Sequence, residues 1–533
     1  MDHAMLHYTS FHKMDNPVLR TTVPHRGRIV CIPPHRDATR ADLAAQADYP
    51  IPGLWEQFSF STAGDLLYRG RRVLDWVEQY DAPLSVIDAD WVRTRTRDIH
   101  NLLQKARLST RYTADTEIYY AAKARMHAGV VLPAYQAGAL GETSSVQDLL
   151  HLELLWRNKL LPRNFSILSN GFKLPPEQLV DKAQKKRVPF LDDYASTIMR
   201  LHNRGLPITP ILDSMDEVAW FSEYAPRKGM DVGVRLAFGK AADRDALALS
   251  AAGFGLTMGQ ARKALQQMAL RPRLTARMLH AMVGAAETMP IPVQVEGARL
   301  AAQMYFELKR IAPTLESLNF GGGLPPLAES YDHFELLTQI MRAVQEEARR
   351  AGFPNDALPI LAWEPGSLIA AESTFNILPV LAIKLQGRVS SAPLLFGVVD
   401  GSFIESSIDG LLLGHDFPIL PANLATHRAY PMWLRGVTCD SMDIWPPSTV
   451  KTRDWLRLPV PHPSERLYVV MAHIGAYQES LTGKGGVNHC AVKEPAEIIL
   501  DDGHEVLMPG NASSKDQAHL LGYTRGVLNL LSS

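Results

Sequence analysis

Three cysteines in 533 residues (Cys31, Cys439 and Cys490) are too few and too scattered for a disulfide framework or a zinc site. Charge imbalance is missing too: 55 Lys and Arg against 56 Asp and Glu leave a formal net charge of -1. That balance gives no electrostatic reason to expect nucleic acid or an anionic membrane as partner. No apolar run reaches the roughly 18 residues that a membrane helix needs, so no membrane partner is expected. The opening Met1-Asp2-His3-Ala4-Met5-Leu6-His7 lacks a signal-type apolar core, and the chain reads as cytoplasmic. His25 and His35 stand in a Pro-rich stretch with no Cys or carboxylate at ligand spacing, so no metal is expected. Low-complexity tracts are absent as well.

What the chain does have is a normal packing composition, 46% hydrophobic and 21% charged, at a length that allows more than one domain. It also has a series of short apolar runs, each ending in residues with chemical uses. The first is Glu117-Ile118-Tyr119-Tyr120-Ala121-Ala122-Lys123, and Gly138 to Thr143 is a weaker second. Ser166 to Gly171, Pro207 to Asp213, Asp231 to Leu236, Met278 to Gly284, Ser317 to Gly323 and Pro359 to Gly366 follow. Between most of them lies a segment with apolar positions three and four apart, such as Leu149 to Leu161 or Phe334 to Ala351. Eight strand-then-helix units predict an α/β fold, a (β/α)₈ TIM-type barrel, which works at the C-terminal ends of its strands.

Residues 1–55, rich in His, Pro and Arg, read as an N-terminal arm. Residues 80–380 read as the barrel with its lead-in strand (Ala82 to Asp88) and helix (Asp90 to Leu103). After Glu364 the helices stop. Strand-like runs at Leu378 to Leu385, Leu394 to Val399 and Arg466 to Met471, with turns at Asp400-Gly401 and Asp501-Asp502-Gly503, predict a mainly β C-terminal domain over 381–533.

Six segments occur in a fixed order: Tyr120-Ala121-Ala122-Lys123, Leu168-Ser169-Asn170-Gly171-Phe172-Lys173, Gly321-Gly322-Gly323, Glu364-Pro365-Gly366, Cys439-Asp440-Ser441-Met442-Asp443 and Gly475-Ala476-Tyr477-Gln478-Glu479. Each alone is a weak signal, since a strand-end lysine or a glycine triplet is commonly just a turn. Together, over roughly residues 80–490, they resemble the signature series of the pyridoxal-phosphate decarboxylases with an alanine-racemase-like barrel. That family includes ornithine, diaminopimelate and biosynthetic arginine decarboxylases. Asn170-Gly171-Phe172-Lys173, Tyr477-Gln478-Glu479 and Phe417-Pro418-Ile419-Leu420-Pro421 lean towards the arginine branch.

The resemblance implies pyridoxal 5'-phosphate as cofactor and assigns roles. Lys123 would be the Schiff-base lysine, and Glu364 would face the pyridine nitrogen and keep it protonated. Gly321, Gly322, Gly323 and Gly366 would let backbone approach the cofactor phosphate, with Ser367 standing where relatives carry an arginine. Tyr477 would line the cofactor pocket. Cys439 would be a proton donor supplied across a homodimer interface, unless it is a buried structural thiol. Asp440 would pair with the distal cation of a basic amino-acid substrate. Asp409 stands at the spacing of an acidic substrate contact and equally suits a turn cap.

Strand six departs from the family. The alignment puts Met282 where relatives stack a histidine on the cofactor ring, and Ala285 where they carry a serine. Methionine packs on a ring but carries no charge. His280, on the same strand face, reads as lying behind the ring position. The expected function is decarboxylation of arginine or a related diamino acid to an amine and CO₂, in a homodimer with shared sites. Racemisation or an oxidative variant on the same fold, and a non-catalytic homologue with a binding role, stay open as alternatives.

Overall fold

The computed structural model describes residues 22–25, 28–31, 53–174, 193–237, 253–270, 273–284, 289–326, 331–389, 392–447, 456–483, 490, 492 and 494–508. Most of the proposed arm and the chain beyond Met508 therefore lie outside the described residues, as does Ala285. Within the arm, Thr22–His25 pairs antiparallel with Arg28–Cys31.

The eight expected strands are all present, and they close on themselves. In order they are Thr116–Ala121, Leu140–Thr143, Ile167–Ser169, Ile208–Leu212, Met230–Arg235, Leu274–His280, Ser317–Asn319 and Ile360–Trp363. Each pairs in parallel with the next, and the eighth returns to the first through Leu361 and Thr116. Alternation along the strands separates two apolar layers. Tyr119, Leu168, Ile211, Met278 and Ala362 fill the barrel interior. Their strand neighbours, such as Ile118, Tyr120, Ile167 and Leu361, pack outward against the helices.

Helix starts follow the short polar residues that precede them. Ser145, Asp193, Ser214 and Asp332 each accept a hydrogen bond from the backbone N–H three residues on. Such caps contribute about 1 kcal/mol each and fix where strand end gives way to helix. The loops in front of them therefore have fixed lengths at the working rim.

The second unit is a mainly β domain around the long strand Thr374–Val389, which pairs with Ala392–Val399, Tyr468–Met471 and Leu84–Asp88. The lead-in strand Leu84–Asp88 thus belongs to this sheet and not to the barrel, and it also pairs in parallel with Ala496–Asp501. All five of its residues are buried, which suits a central strand covered on both faces. Asp88 at its end caps the 22-residue helix Ala89–Thr110, which then feeds the first barrel strand. The β domain also meets the rim of the barrel directly. The Tyr477 N–H donates to Ala124 O at 2.8 Å, and Ser480 Oγ donates to the same oxygen at 2.9 Å.

Candidate active site

At the C-terminal rim, Lys123 sits two residues past its strand, in a single 3₁₀ turn over Ala122–Ala124. Tyr120 OH donates to Arg125 O at 2.9 Å and pins that turn. Lys123, Met282, Glu364 and Tyr477 line one cleft together with Gly322, Gly323, Gly366, Ser367 and Leu324. The cleft holds about 370 Å³ free of protein atoms, part of it open to solvent. Residues separated by hundreds of positions converge there because each ends a different strand or a β-domain turn.

Glu364 is buried and held on several sides. Asn319 Nδ2 donates to Oε1 at 2.7 Å, and Asn170 Nδ2 reaches both carboxylate oxygens at 3.1 Å. His280 Nε2 lies 3.3 Å from Oε1. Burial alone would push this carboxyl up, but His280, Lys123 and Asn170 pull harder, and it ends well below its usual range. It is an anion at neutral pH. His280 is not among the cleft-lining residues; it backs Glu364.

Glu142, at the end of the second strand, is a site residue that the motif series did not flag. It is fully buried, accepts from Asn170 Nδ2 at 2.9 Å and from Ser144 Oγ at 2.7 Å, and so shares Asn170 with Glu364. Here burial wins, helped by repulsion from Glu364 and opposed by Lys123, and the carboxyl is pushed up to about 6. Glu142 is in turn the main charge holding the Lys123 ammonium above its ordinary range. A carboxylate ending a barrel strand is the signal that could have found it. Because its folded pKa is raised, the stability it contributes is full below the ordinary 4.5 and is lost as pH climbs through about 6. Glu142→Gln, neutral at every pH, should remove a decline on the order of 2 kcal/mol. Cofactor-free protein melted at pH 4.5 and pH 7 checks this, and an unchanged pH dependence would sink it.

The glycine triplet divides its work. The Gly321 N–H donates to Asn319 Oδ1 at 2.8 Å, so it is committed inside the protein, and Gly322 and Gly323 face the cleft. Gly323 has φ +87° and lies against the Gly284 backbone, where a Cβ would come within 2.7 Å. Only glycine fits there. Asn319 thereby ties the glycine turn to the Glu364 carboxylate. Strand six stops pairing regularly at His280, yet the Ala281 and Val283 N–H groups still donate to Asn319 O and Phe320 O. That irregular extension brings Met282 to the cleft. Tyr477 holds a left-handed backbone (φ 64°), a costly conformation for a non-glycine and one common at functional positions.

The remaining expected residues lie apart from this cleft. Cys439 is exposed, which excludes the buried-thiol reading, and its Sγ lies 3.5 Å from Cys490 Sγ. Asp440 is half-buried, and its Oδ1 accepts from the Met442 N–H at 2.8 Å. Asp409 is buried and exchanges two 3.1 Å hydrogen bonds with Gln478, the residue after Tyr477.

The cleft fits pyridoxal phosphate on three observations. Its lysine amine, Lys123 Nζ, enters no hydrogen bond or ion pair among the described residues. Its glycine turn is one that a Cβ would fill. Glu142 Oε2, Asn170 Oδ1 and His280 Nδ1 are buried without a hydrogen-bond partner in the protein.

The known proteins agree. Residues 174–371 match the pyridoxal-dependent decarboxylase family through its pyridoxal binding domain, a range that contains strands four to eight and Glu364. A biosynthetic arginine decarboxylase of Thermosynechococcus vestitus is 26% identical over 151 residues, 26% of this chain and 23% of that enzyme. The fold matches the biosynthetic arginine decarboxylase of Campylobacter jejuni with a TM-score of 0.72 at 17% identity, covering 92% of each chain. It also matches a diaminopimelate decarboxylase from M. jannaschii with a TM-score of 0.68 at 16% identity, over 87% of this chain and 97% of that one. Residues 174–371 of this chain are thus similar to the pyridoxal binding domain of the pyridoxal-dependent decarboxylases.

Proposed function

We propose that the protein is a pyridoxal-phosphate-dependent decarboxylase of a basic amino acid, arginine or a related diamino acid, releasing the amine and CO₂. The observation that carries this reading is the buried Glu364 anion beside Lys123, on a rim with a glycine turn. When bound, pyridoxal phosphate supplies an electron sink for the pair left behind as CO₂ departs. Lys123 offers the amine that holds the cofactor aldehyde. Glu364, kept ionised by its donors, holds a proton at the ring nitrogen. Gly322, Gly323, Gly366 and Ser367 receive the phosphate, with serine giving a neutral hydrogen bond in place of an arginine's charge. Met282, which lines the cleft, would pack its thioether on the ring and exclude water there. The named relatives, arginine and diaminopimelate decarboxylases, support a basic substrate. Incubation with a panel of amino acids, measuring CO₂ and amine, tests the reading. Turnover of none of the basic ones would defeat it.

Met282 favours one rival: a different outcome, racemisation or an oxidative reaction, on the same cofactor. A thioether cannot donate a hydrogen bond or a proton as the family's histidine can. Inverted amino acid or released ammonia from that panel would select the rival.

The proposal extends to a cytoplasmic homodimer in which the partner's Cys439 donates a proton and the partner's Asp440 pairs with the substrate's distal cation. Asp409 is a further candidate acidic contact. Mixing Lys123→Ala with Cys439→Ala chains then leaves one intact site in each mixed dimer. Random exchange should return roughly a quarter of wild-type activity. No recovery, with exchange confirmed, would mean that each chain builds its own site.

A further inference from the structure

We propose that Cys439 and Cys490 form a redox modification site that closes to an intrachain disulfide. Their sulfurs lie 3.5 Å apart across 51 residues of sequence, and both side chains are exposed. A disulfide spans about 2.05 Å, so closure asks for an approach of about 1.5 Å. A side-chain rotation at an exposed position provides that. Scattered thiols have no reason to meet, yet here two of the chain's three cysteines do. Among the described residues no group of three or more His, Cys, Asp or Glu is placed to hold an ion. The hydrogen bond with Cys490 holds the Cys439 thiol above its ordinary range.

A small disulfide such as oxidised glutathione balances the chemistry. One cysteine, as thiolate, attacks a glutathione sulfur and releases the first glutathione thiolate. The second cysteine then attacks the mixed disulfide, the protein S–S bond forms, and the second glutathione leaves. Two electrons pass to the oxidant, and the two cysteine protons end on the two glutathiones.

The consequence for activity rests on the proposed function, because a sulfur in a disulfide cannot donate a proton. Losing a positioned acid should slow turnover about a hundredfold, reversibly.

The test incubates the cofactor-loaded enzyme with oxidised glutathione, alkylates the remaining thiols and maps the peptides. A Cys439–Cys490 link that dithiothreitol reverses is the expected result. Cys490→Ser should keep full activity when reduced, and oxidation should leave glutathione on its Cys439. Absence of the link, a link to Cys31, or a link between chains would overturn the proposal. If the intrachain link forms and activity holds, the modification site stands and the proton-donor role of Cys439 falls. The two ideas can therefore fail separately.

Discussion

Borohydride added to the cofactor-loaded enzyme should fix the pyridoxyl group on Lys123, and peptide mapping should find it on no other lysine. Lys123→Ala should lose this capture and slow turnover by about 10³-fold or more, the scale of removing a catalytic nucleophile. The expectation comes from position and chemistry together. Lys123 is the lysine that lines the cleft, at the first strand's rim and beside the glycine turn. Glu142 and Glu364 hold its ammonium up, so it enters the reaction by giving up a proton in a site rich in buried acceptors. The alanine variant should still take up the cofactor without a covalent bond, because Glu364, Gly322 and Gly323 are untouched. Label on a different lysine, or full turnover by the variant, would remove the basis for the whole site.

The barrel was legible because its strands are short apolar runs whose ends carry distinctive residues, and because the intervening segments keep a helical period. Lys123, Glu364 and the glycine triplet could be found for the same reason: each belongs to a local motif. Glu142 could not. Its role depends on Asn170, 28 residues on, and on Glu364, two strands round the closed barrel and 194 residues beyond Asn170. Closure of the sheet creates that proximity, and no local spacing encodes it. The Leu84–Asp88 strand is a similar case. Its apolar run announced a strand, but its partners are Thr374–Ile377 and Ala496–Leu500, so its sheet depends on pairing over hundreds of residues. Gly321 shows the limit of a motif in another way. The triplet is contiguous in sequence, yet Asn319 claims one of its N–H groups and leaves two glycines facing the cleft.

Glu364→Gln should fold and still bind cofactor, yet lose roughly 10²–10³-fold in turnover, the usual cost of removing one preorganised electrostatic contact. Folding should survive because the glutamine oxygen can take the Asn319 donor. The new amide N–H₂ can bond Asn170 Oδ1, which now has no partner, if the Asn170 amide turns over. What the variant cannot do is hold a proton at the ring nitrogen by charge. The pH dependence separates this role from a packing role. Glu364 is held well below the usual carboxylate range, so it stays ionised throughout the neutral region. The penalty of the variant should therefore be the same at pH 6 and at pH 8, with the change in kcat and little in KM. A penalty that shrank as pH fell would mean that the wild-type carboxyl had already been protonated. Burial would then have outweighed His280, Lys123 and Asn170. The assignment of Glu364 as the anion that makes the cofactor an electron sink would fail with it.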